Sequence, residues 1–570
     1  MQSITTRTAA QTLSKAKHAS LKPLLFFRLN STLVSFENEP DVTVTSVGST
    51  VRVINLNRPA KLNALSSQMF TKIAKTVAEY NKSTSTDCIL VKSSHSSGNS
   101  THNVPVFSAG ADIVQVVKQV LNNQVQFSTK EAAVAEFFTK EYSLNNLISE
   151  SKRPVIVIMD GLTYGAGVGL STFSPLRVAT ENTKWSMPEM NIGFFPDCGV
   201  SYTLPKQATV GGSEGQLALY LCLTGEELSG ADSYIAGFAT HYIHSSNLKD
   251  LEIRLSELNN IGNFKELSER NQDLMKKLRK LQRRPTSDEM GENEISWKSQ
   301  IKEIENTIGF KDFATTIEEF SSSLPENYKF KYSLDELNII ERFFKVDSTT
   351  SLTKIINSLQ NVLERKSQYS ESTVKFVEKT LATLQKKSQI SLQIAIEQFK
   401  RNIHAPNAGS ALKQDLVTAI NMTLEPSTND FVNTVNHKFI EKIQGSETDS
   451  KTAESTTLSK DDLYKIYAES PLRQVDLTKY KIDPFDGLEA LSPSIENYGL
   501  PTEKDIENYI LGNDNTNRSV APTTTNIISY FTKYSQGSGK IGTSYLLKNL
   551  IIPRKCKVDN FTKTVEWEKI

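Results

Sequence analysis

The sequence predicts an α/β protein that turns helical in its second half, and two observations carry that prediction. From about Val44 to Thr240, short β-branched runs alternate with amphipathic helical spacing and Gly-containing turns, the order expected when strands are joined through helices. After about Leu251 the strand pattern stops and apolar residues recur at helical spacing.

The elements follow in order. Val51 to Leu56 reads as a strand, and Ser66 to Tyr80 as a helix with Met69, Phe70, Ile73, Val77 and Tyr80 on one face and Ser66 as its N-cap. Further strands are expected at Cys88–Lys92, Val104–Phe107, Val155–Met159 and Leu176–Thr180. Phe264 to Arg284 is a charged helix with Phe264, Leu267, Asn271, Leu274, Leu278 and Leu281 at heptad spacing, ended by Pro285 and followed by a polar linker to Asn306. Helical patterns resume at Glu336–Phe344, Leu352–Arg365, Glu371–Arg401 and Phe431–Ile443. The expected division is therefore a leader over 1–36, a core over 37–255, a charged insertion over 256–330, a helical unit over 331–445, and a linker with an extension over 446–570.

Composition excludes several classes. The 65 basic and 64 acidic side chains nearly cancel, which argues against a uniformly basic nucleic-acid binder. Cys88, Cys198, Cys222 and Cys556 form no C-x-x-C pair, and His95, His102, His241, His244, His404 and His437 show no metal-ligand spacing, so no metal is expected. No apolar run approaches the roughly 20 residues that span a bilayer, and no membrane association is expected. The first thirty-six residues carry Arg7, Lys15, Lys17, Lys22 and Arg28 without an acid, the composition of a mitochondrial transit peptide, which places the protein in the matrix.

Candidate chemistry lies between Phe107 and Asp197. Two strand ends run into small-residue turns that can open helices, Ser108-Ala-Gly-Ala-Asp112 and Gly165-Ala-Gly-Val-Gly169. Free N–H groups at such turns carry partial positive charge. If both converge, they stabilise the oxyanion of a thioester under attack, an effect of about 3 to 4 kcal/mol per donor. Glu189 and Asp197 then stand in an apolar loop of Met, Ile, Phe and Pro, where a carboxyl group loses hydration and its pKa rises. Gly537-Ser-Gly-Lys-Ile-Gly-Thr543 lacks the spacing of a phosphate loop, and Gly165–Gly169 that of a dinucleotide fingerprint.

The ordered set Asn57-Arg-Pro59, Asn63-Ala-Leu65, Phe107-Ser-Ala-Gly-Ala-Asp112, Gly161-Leu-Thr-Tyr-Gly-Ala-Gly-Val-Gly169 and Met187-Pro-Glu189 resembles the crotonase (enoyl-CoA hydratase/isomerase) superfamily. Gly169 stands where hydratases of that superfamily have a second catalytic glutamate, and Phe195-Pro-Asp197 is similar to its 3-hydroxyisobutyryl-CoA hydrolase branch, as are Lys140-Glu-Tyr-Ser-Leu-Asn145 and Ser388-Gln-Ile-Ser-Leu-Gln-Ile394. The resemblance covers roughly Val44 to Ile443 and implies a crotonase-type spiral of ββα units. It also implies an acyl-CoA substrate, with CoA part of that substrate and no separate cofactor. The implied oxyanion hole is the backbone N–H groups of Ala111 and Ala166, with Glu141, Glu189 and Asp197 around the substrate and Glu189 and Asp197 catalytic. Hydrolysis to 3-hydroxyisobutyrate and CoA, a step of valine breakdown, is the implied reaction; another hydratase or isomerase reaction of the superfamily is the alternative. Self-association is implied as well.

Ala166 replaces a glycine usual in the family, and its methyl strains the turn if φ there is positive. Long C-terminal extensions also occur in fungal relatives counted among small-subunit proteins of the mitochondrial ribosome. With Arg554, Lys555 and Lys557 near the end of this chain, that resemblance implies contacts within such an assembly, made through a basic patch.

Overall fold

The computed structural model describes residues 40–94, 105–258, 309–424, 430–442, 498–514, 518, 520–535 and 539–568. The leader, the helix expected over 264–284, its polar linker and the stretch over 445–460 lie outside the described residues. Six strands form the main sheet. β1 (Val42–Val47) pairs antiparallel with β2 (Val51–Leu56), and β2 continues in parallel through β3 (Cys88–Ser93), β5 (Val155–Met159), β7 (Leu176–Ala179) and β10 (His241–Tyr242). A second sheet takes β4 (Val106–Ser108), β6 (Leu162–Tyr164), β8 (Lys184–Ser186) and β9 (Leu228–Ser229) in that order, the last pair antiparallel. Each short strand of the second sheet follows closely on a strand or helix of the first, so the chain winds between two sheets; this is the α/β spiral expected.

Strand alternation distributes the core between two faces. Ile89, Val91, Val155, Val157 and Met159 point into the larger cluster, while Cys88, Leu90, Ile156 and Ile158 point into a smaller one closed by Leu248, Leu251, Leu255, Phe313 and Ile317. Nine helical segments matter here: α1 (Ser67–Lys82), α2 (Ile113–Leu121), α3 (Phe127–Ser149), α4 (Ala166–Thr172), α5 (Val200–Gln207), and, further on, Leu334–Phe343, Glu371–Gln385, Gln389–Asn402 and Ala408–Leu424. Ser66 caps α1 by accepting the Met69 N–H at 3.3 Å, as its sequence predicts.

Three expectations need correction. The single helix read over Glu371–Arg401 is two, broken at Lys386 and Lys387, because Ser388 caps a new helix by accepting the Ser391 N–H. Strands do not end at Leu251, since Cys556–Val558 and Val565–Trp567 form an antiparallel pair. Nor do Arg554 and Lys555 form an exposed basic patch. Both are buried: Arg554 bridges Glu341 and, at 2.6 Å, Glu503, while Lys555 bridges Glu341 and, at 3.1 Å, Glu503. Lys540 is likewise turned inward, onto Glu318 at 2.6 Å and the Thr240 carbonyl at 3.1 Å. Leu500, Ile506, Phe531, Leu547 and Ile551 join the larger core, so residues 498–568 pack as part of the same unit as the sheets.

Candidate active site

The first small-residue turn is braced from below by the motif Asn57 to Leu65. Leu62 and Asn63 both take a left-handed φ of 52°, a conformation unusual for side-chain-bearing residues. Asn63 is held there by four bonds: it accepts the Arg58 N–H at 2.8 Å and donates to Ser93 Oγ, Val106 O and Phe107 O at 3.0 to 3.1 Å. Arg58 pairs with Asp112 at 2.8 Å on the far side of the turn. Of the amides in the turn, Gly110 N–H is occupied by Ser108 Oγ and Asp112 N–H by Leu65 O, at 3.2 and 2.9 Å. Between them lies Ala111.

The second turn meets the first. A methyl group on Gly110 (φ 105°) would lie 3.4 Å from the Tyr164 carbonyl oxygen and 3.7 Å from the Ala166 nitrogen. Ala166 opens α4, so its N–H has no acceptor within the helix. The left-handed dihedral here belongs to Gly165 (φ 48°) rather than to Ala166, so the alanine methyl strains nothing at that position. The two donors expected from sequence therefore sit on adjoining turns.

Beside them the three carboxylates gather. A methyl on Gly165 would fall 2.7 Å from Glu189 Oε1, which places that carboxylate against the second turn. Glu189 is buried, on a 3-10 turn (Glu189–Ile192) between β8 and an aromatic wall in which Phe194 packs on Phe138, Phe195 and Phe431 with ring centroids 4.5 to 5.7 Å apart. Asp197 accepts the Tyr142 hydroxyl proton at 2.7 Å, and Glu141 Oε1 accepts from Cys198 Sγ at 3.2 Å. Burial, followed by the negative charge of Asp197, pushes the carboxyl groups of Glu141 and Glu189 well above the usual range. Burial also raises Asp197, to about 6, with the Tyr142 hydrogen bond opposing the shift.

Several residues that shape this cluster were not singled out from the sequence. Asn145, one turn on, shares the face of α3 that carries Glu141, and Tyr142 is the next residue along the same helix. Cys198, with φ 58°, packs against Gly169: a methyl there would lie 2.6 Å from Cys198 Cβ and 3.3 Å from Asn145 Nδ2. The strained Cys198–Gly199 turn is held by Asp415, fully buried on the helix Ala408–Leu424, which accepts the Gly199 N–H at 2.6 Å together with donors from Gln398 and Asn402. An aspartate between Leu412 and Leu416–Val417 on an otherwise apolar face was the available signal. Glu141 Oε2, Glu189 Oε2 and Asn145 Nδ2 are buried with no hydrogen-bond partner, polar atoms positioned to meet a ligand.

Glu141, Asp197 and Cys198 offer donor atoms within 4.8 Å of one another, a grouping able in principle to ligate a cation. Burial and the neighbouring carboxylates push the Cys198 thiol well up, however, and a thiol must ionise before it ligates. The thiol instead keeps its proton and donates it in a hydrogen bond to Glu141 Oε1. Among the described residues no helix is long and apolar enough to cross a membrane.

The family model described as enoyl-CoA hydratase/isomerase matches residues 51–325 and 292–462. Small ribosomal subunit protein mS47 of Neurospora crassa is 42% identical over 221 residues, 39% of this chain and 40% of that protein. The mitochondrial 3-hydroxyisobutyryl-CoA hydrolase of Danio rerio is 35% identical over 231 residues (40% and 55%), and that of Homo sapiens 38% over 200 residues (35% and 46%). The chain thus spans about half the length of these relatives. A carnitinyl-CoA dehydratase structure from Mycobacterium thermoresistibile superposes with a TM-score of 0.52 at 21% identity, over 76% of this chain and 98% of that one, which shows the shared fold.

Proposed function

The chain belongs to the enoyl-CoA hydratase/isomerase family, and from that premise we propose that it hydrolyses the thioester of a short hydroxyacyl-CoA, 3-hydroxyisobutyryl-CoA in the mitochondrial matrix, as a step of valine breakdown. The observation that carries the choice of hydrolysis is the packing at Gly169. The sequence resemblance puts the second glutamate of hydratases at this position, and here Cys198 and Asn145 fill the space that such a side chain would need. The site keeps one carboxylate against the oxyanion turns, Glu189, and a second, Asp197, that tyrosine holds in place.

In this reading the thioester carbonyl oxygen lies between the N–H groups of Ala111 and Ala166. Glu189 attacks the carbonyl carbon or takes a proton from the water that does, and the tetrahedral oxyanion collects on the two amides. Asp197 binds the acyl hydroxyl group and assists transfer of a proton to the departing sulfur, while Glu141 and its helix neighbour Asn145 orient the acyl chain. Glu189 must be ionised to act as base or nucleophile. Since burial and Asp197 raise its pKa, the rate falls as pH drops through that raised value. Purified protein given 3-hydroxyisobutyryl-CoA is expected to release free thiol, with Glu189→Gln losing most of that rate; an unchanged rate in the variant removes Glu189 from the mechanism.

A second reading, compatible with the first, is membership of the mitochondrial small ribosomal subunit, favoured by the 42% identity to the Neurospora protein. Because Arg554 and Lys555 are spent on internal ion pairs, such contacts would be made by other surfaces. Sedimentation of mitochondrial extracts in magnesium tests it. A protein found solely in the free soluble fraction counts against it.

A further inference from the structure

The loop that delivers Asp197 continues through two successive residues at positive φ, Cys198 at 58° and Gly199 at 67°. For the cysteine that conformation is unfavourable, and something outside the loop has to keep it. The bond from Val200 N–H to the Asp197 carbonyl oxygen, at 3.3 Å, is longer than is usual for its type. The firmer hold comes from the helical second unit. Asp415 Oδ2 accepts the Gly199 N–H at 2.6 Å, while Oδ1 accepts from Gln398 Nε2 and Asn402 Nδ2 at 2.5 and 3.0 Å. Asn402 Nδ2 also reaches Ser201 Oγ at 2.9 Å, in the first turn of α5. Donors on both oxygens of a buried carboxylate fix its orientation, so the oxygen facing Gly199 stays there.

Three features of the candidate site follow from that one turn. It places the Asp197 carboxylate, it aims the Cys198 thiol at Glu141, and it brings Cys198 Cβ over Gly169. The helix Ala408–Leu424, which carries Asp415, packs along α3, the helix of Glu141 and Tyr142. Asp415 is also an electrostatic neighbour of the cluster. Burial, opposed by the Gln398 and Gly199 hydrogen bonds, raises its carboxyl to about 7, and the charge of Asp197 adds to the rise. Its own charge adds to the rise that burial and Asp197 cause at the Tyr142 hydroxyl.

We propose that Asp415 is the positioning residue for Asp197, and that its hold on the Gly199 N–H sets the preference for an acyl group bearing a hydroxyl. The proposal rests on the reading above in which Asp197 binds that hydroxyl. A site built to hydrogen-bond a substrate hydroxyl discriminates strongly against the analogue without it, and a shift of about 1 Å in the binding group removes much of the advantage. Selectivity at the carboxylate cluster is then carried by a residue of the second unit that touches no substrate.

The test compares 3-hydroxyisobutyryl-CoA with isobutyryl-CoA, the same thioester without its hydroxyl group, on full chains checked by thermal melting. Asp415→Leu keeps the branched shape and removes the acceptor; Asp415→Asn keeps an oxygen for the Gly199 N–H; Gln398→Met removes one donor that orients Asp415. The ratio of kcat/KM for the hydroxyl-bearing thioester to that for its analogue is expected to fall about tenfold in Asp415→Leu and about threefold in Gln398→Met, with Asp415→Asn restoring most of it. A second readout needs no turnover: labelling of Cys198 by N-ethylmaleimide, followed by peptide mass spectrometry, rises about tenfold in Asp415→Leu as the turn relaxes, while Cys88 in the smaller core cluster keeps its rate. A ratio and a Cys198 rate unchanged in both Asp415→Leu and Gln398→Met overturn the proposal. So does an equal loss on both thioesters with Cys198 and Cys88 labelled alike, the mark of a generally loosened fold. Where Asp415→Leu does not fold, Gln398→Met decides by the same comparison. A parent chain that hydrolyses neither thioester loses the hydrolase reading, and Cys198 labelling alone then decides whether Asp415 holds the turn; active hydrolysis with ratio and labelling indifferent to these variants does the reverse.

Discussion

Two buried clusters of charged side chains in this protein are built on opposite plans. Around Glu341 and Glu503, two carboxylates face two cations, Arg554 and Lys555, and every charge has a partner of the other sign. Around Glu189, three carboxylates stand together, none of them paired with a cation among the described residues, supported by a tyrosine hydroxyl and a thiol, and two of their oxygens have no partner there. The first arrangement satisfies its charges and joins residues 498–568 to the helical unit. In the second, desolvation raises all three acids above the usual carboxylate range, Asp197 to about 6, and the charge of Asp197 adds to the rise at Glu141 and Glu189. Burial alone does not separate structural charge from reactive charge; the sign of the neighbours does.

Substitutions should divide the clusters along that line. Glu189→Gln is expected to lower kcat by about a thousandfold, within the range for loss of a base or nucleophile, with little change in melting temperature. Arg554→Ala, which leaves Glu341 and Glu503 short of a counter-charge, is expected to destabilise the fold by about 3 kcal/mol in denaturant titrations while leaving kcat near that of the parent. Should the two variants exchange phenotypes, the distinction fails. Gly165→Ala brings a methyl to within 2.7 Å of Glu189 Oε1 at a positive φ, and displacement of that carboxylate is expected to reduce the rate about a hundredfold. Ala166→Gly should do least: a loss of about 0.5–1 kcal/mol of stability from the start of α4 and a rate within about threefold of the parent, because the left-handed dihedral lies at the preceding residue.

What could be read in advance was local. Ser66 caps its helix, the β-branched runs at Cys88 and Val155 form strands, and a small-residue turn follows β4 and β6, since each depends on residues adjacent in the chain; that the strands pair and the turns adjoin is set by the fold. The apolar loop pointed to Glu189 and Asp197, and the resemblance added Glu141. It did not supply what holds them. Asp415 fixes the turn after Asp197 from more than two hundred residues away, and Tyr142 reaches the same carboxylate across fifty-five. Such partners are tertiary facts with weak local signals. The same cause misplaced Arg554 and Lys555: two adjacent basic residues resemble a surface patch until Glu341 and Glu503 are brought to them. The break at Lys386 and Lys387 was hidden because apolar periodicity runs through it, although Ser388 carried a capping signal.

The measurement that bears most directly on the carboxylate cluster is the pH dependence of kcat/KM for thiol release from 3-hydroxyisobutyryl-CoA, with Glu189→Gln followed in parallel. An acid whose folded pKa is raised stays protonated, and inactive as a base, until pH passes that value. The parent chain should therefore show an acid limb with its midpoint above the ordinary glutamate value of about 4.3, and the limb should vanish with the residual activity of Glu189→Gln. A limb at the ordinary value, or an identical limb in the variant, would contradict the assignment of Glu189 as the buried reactive group.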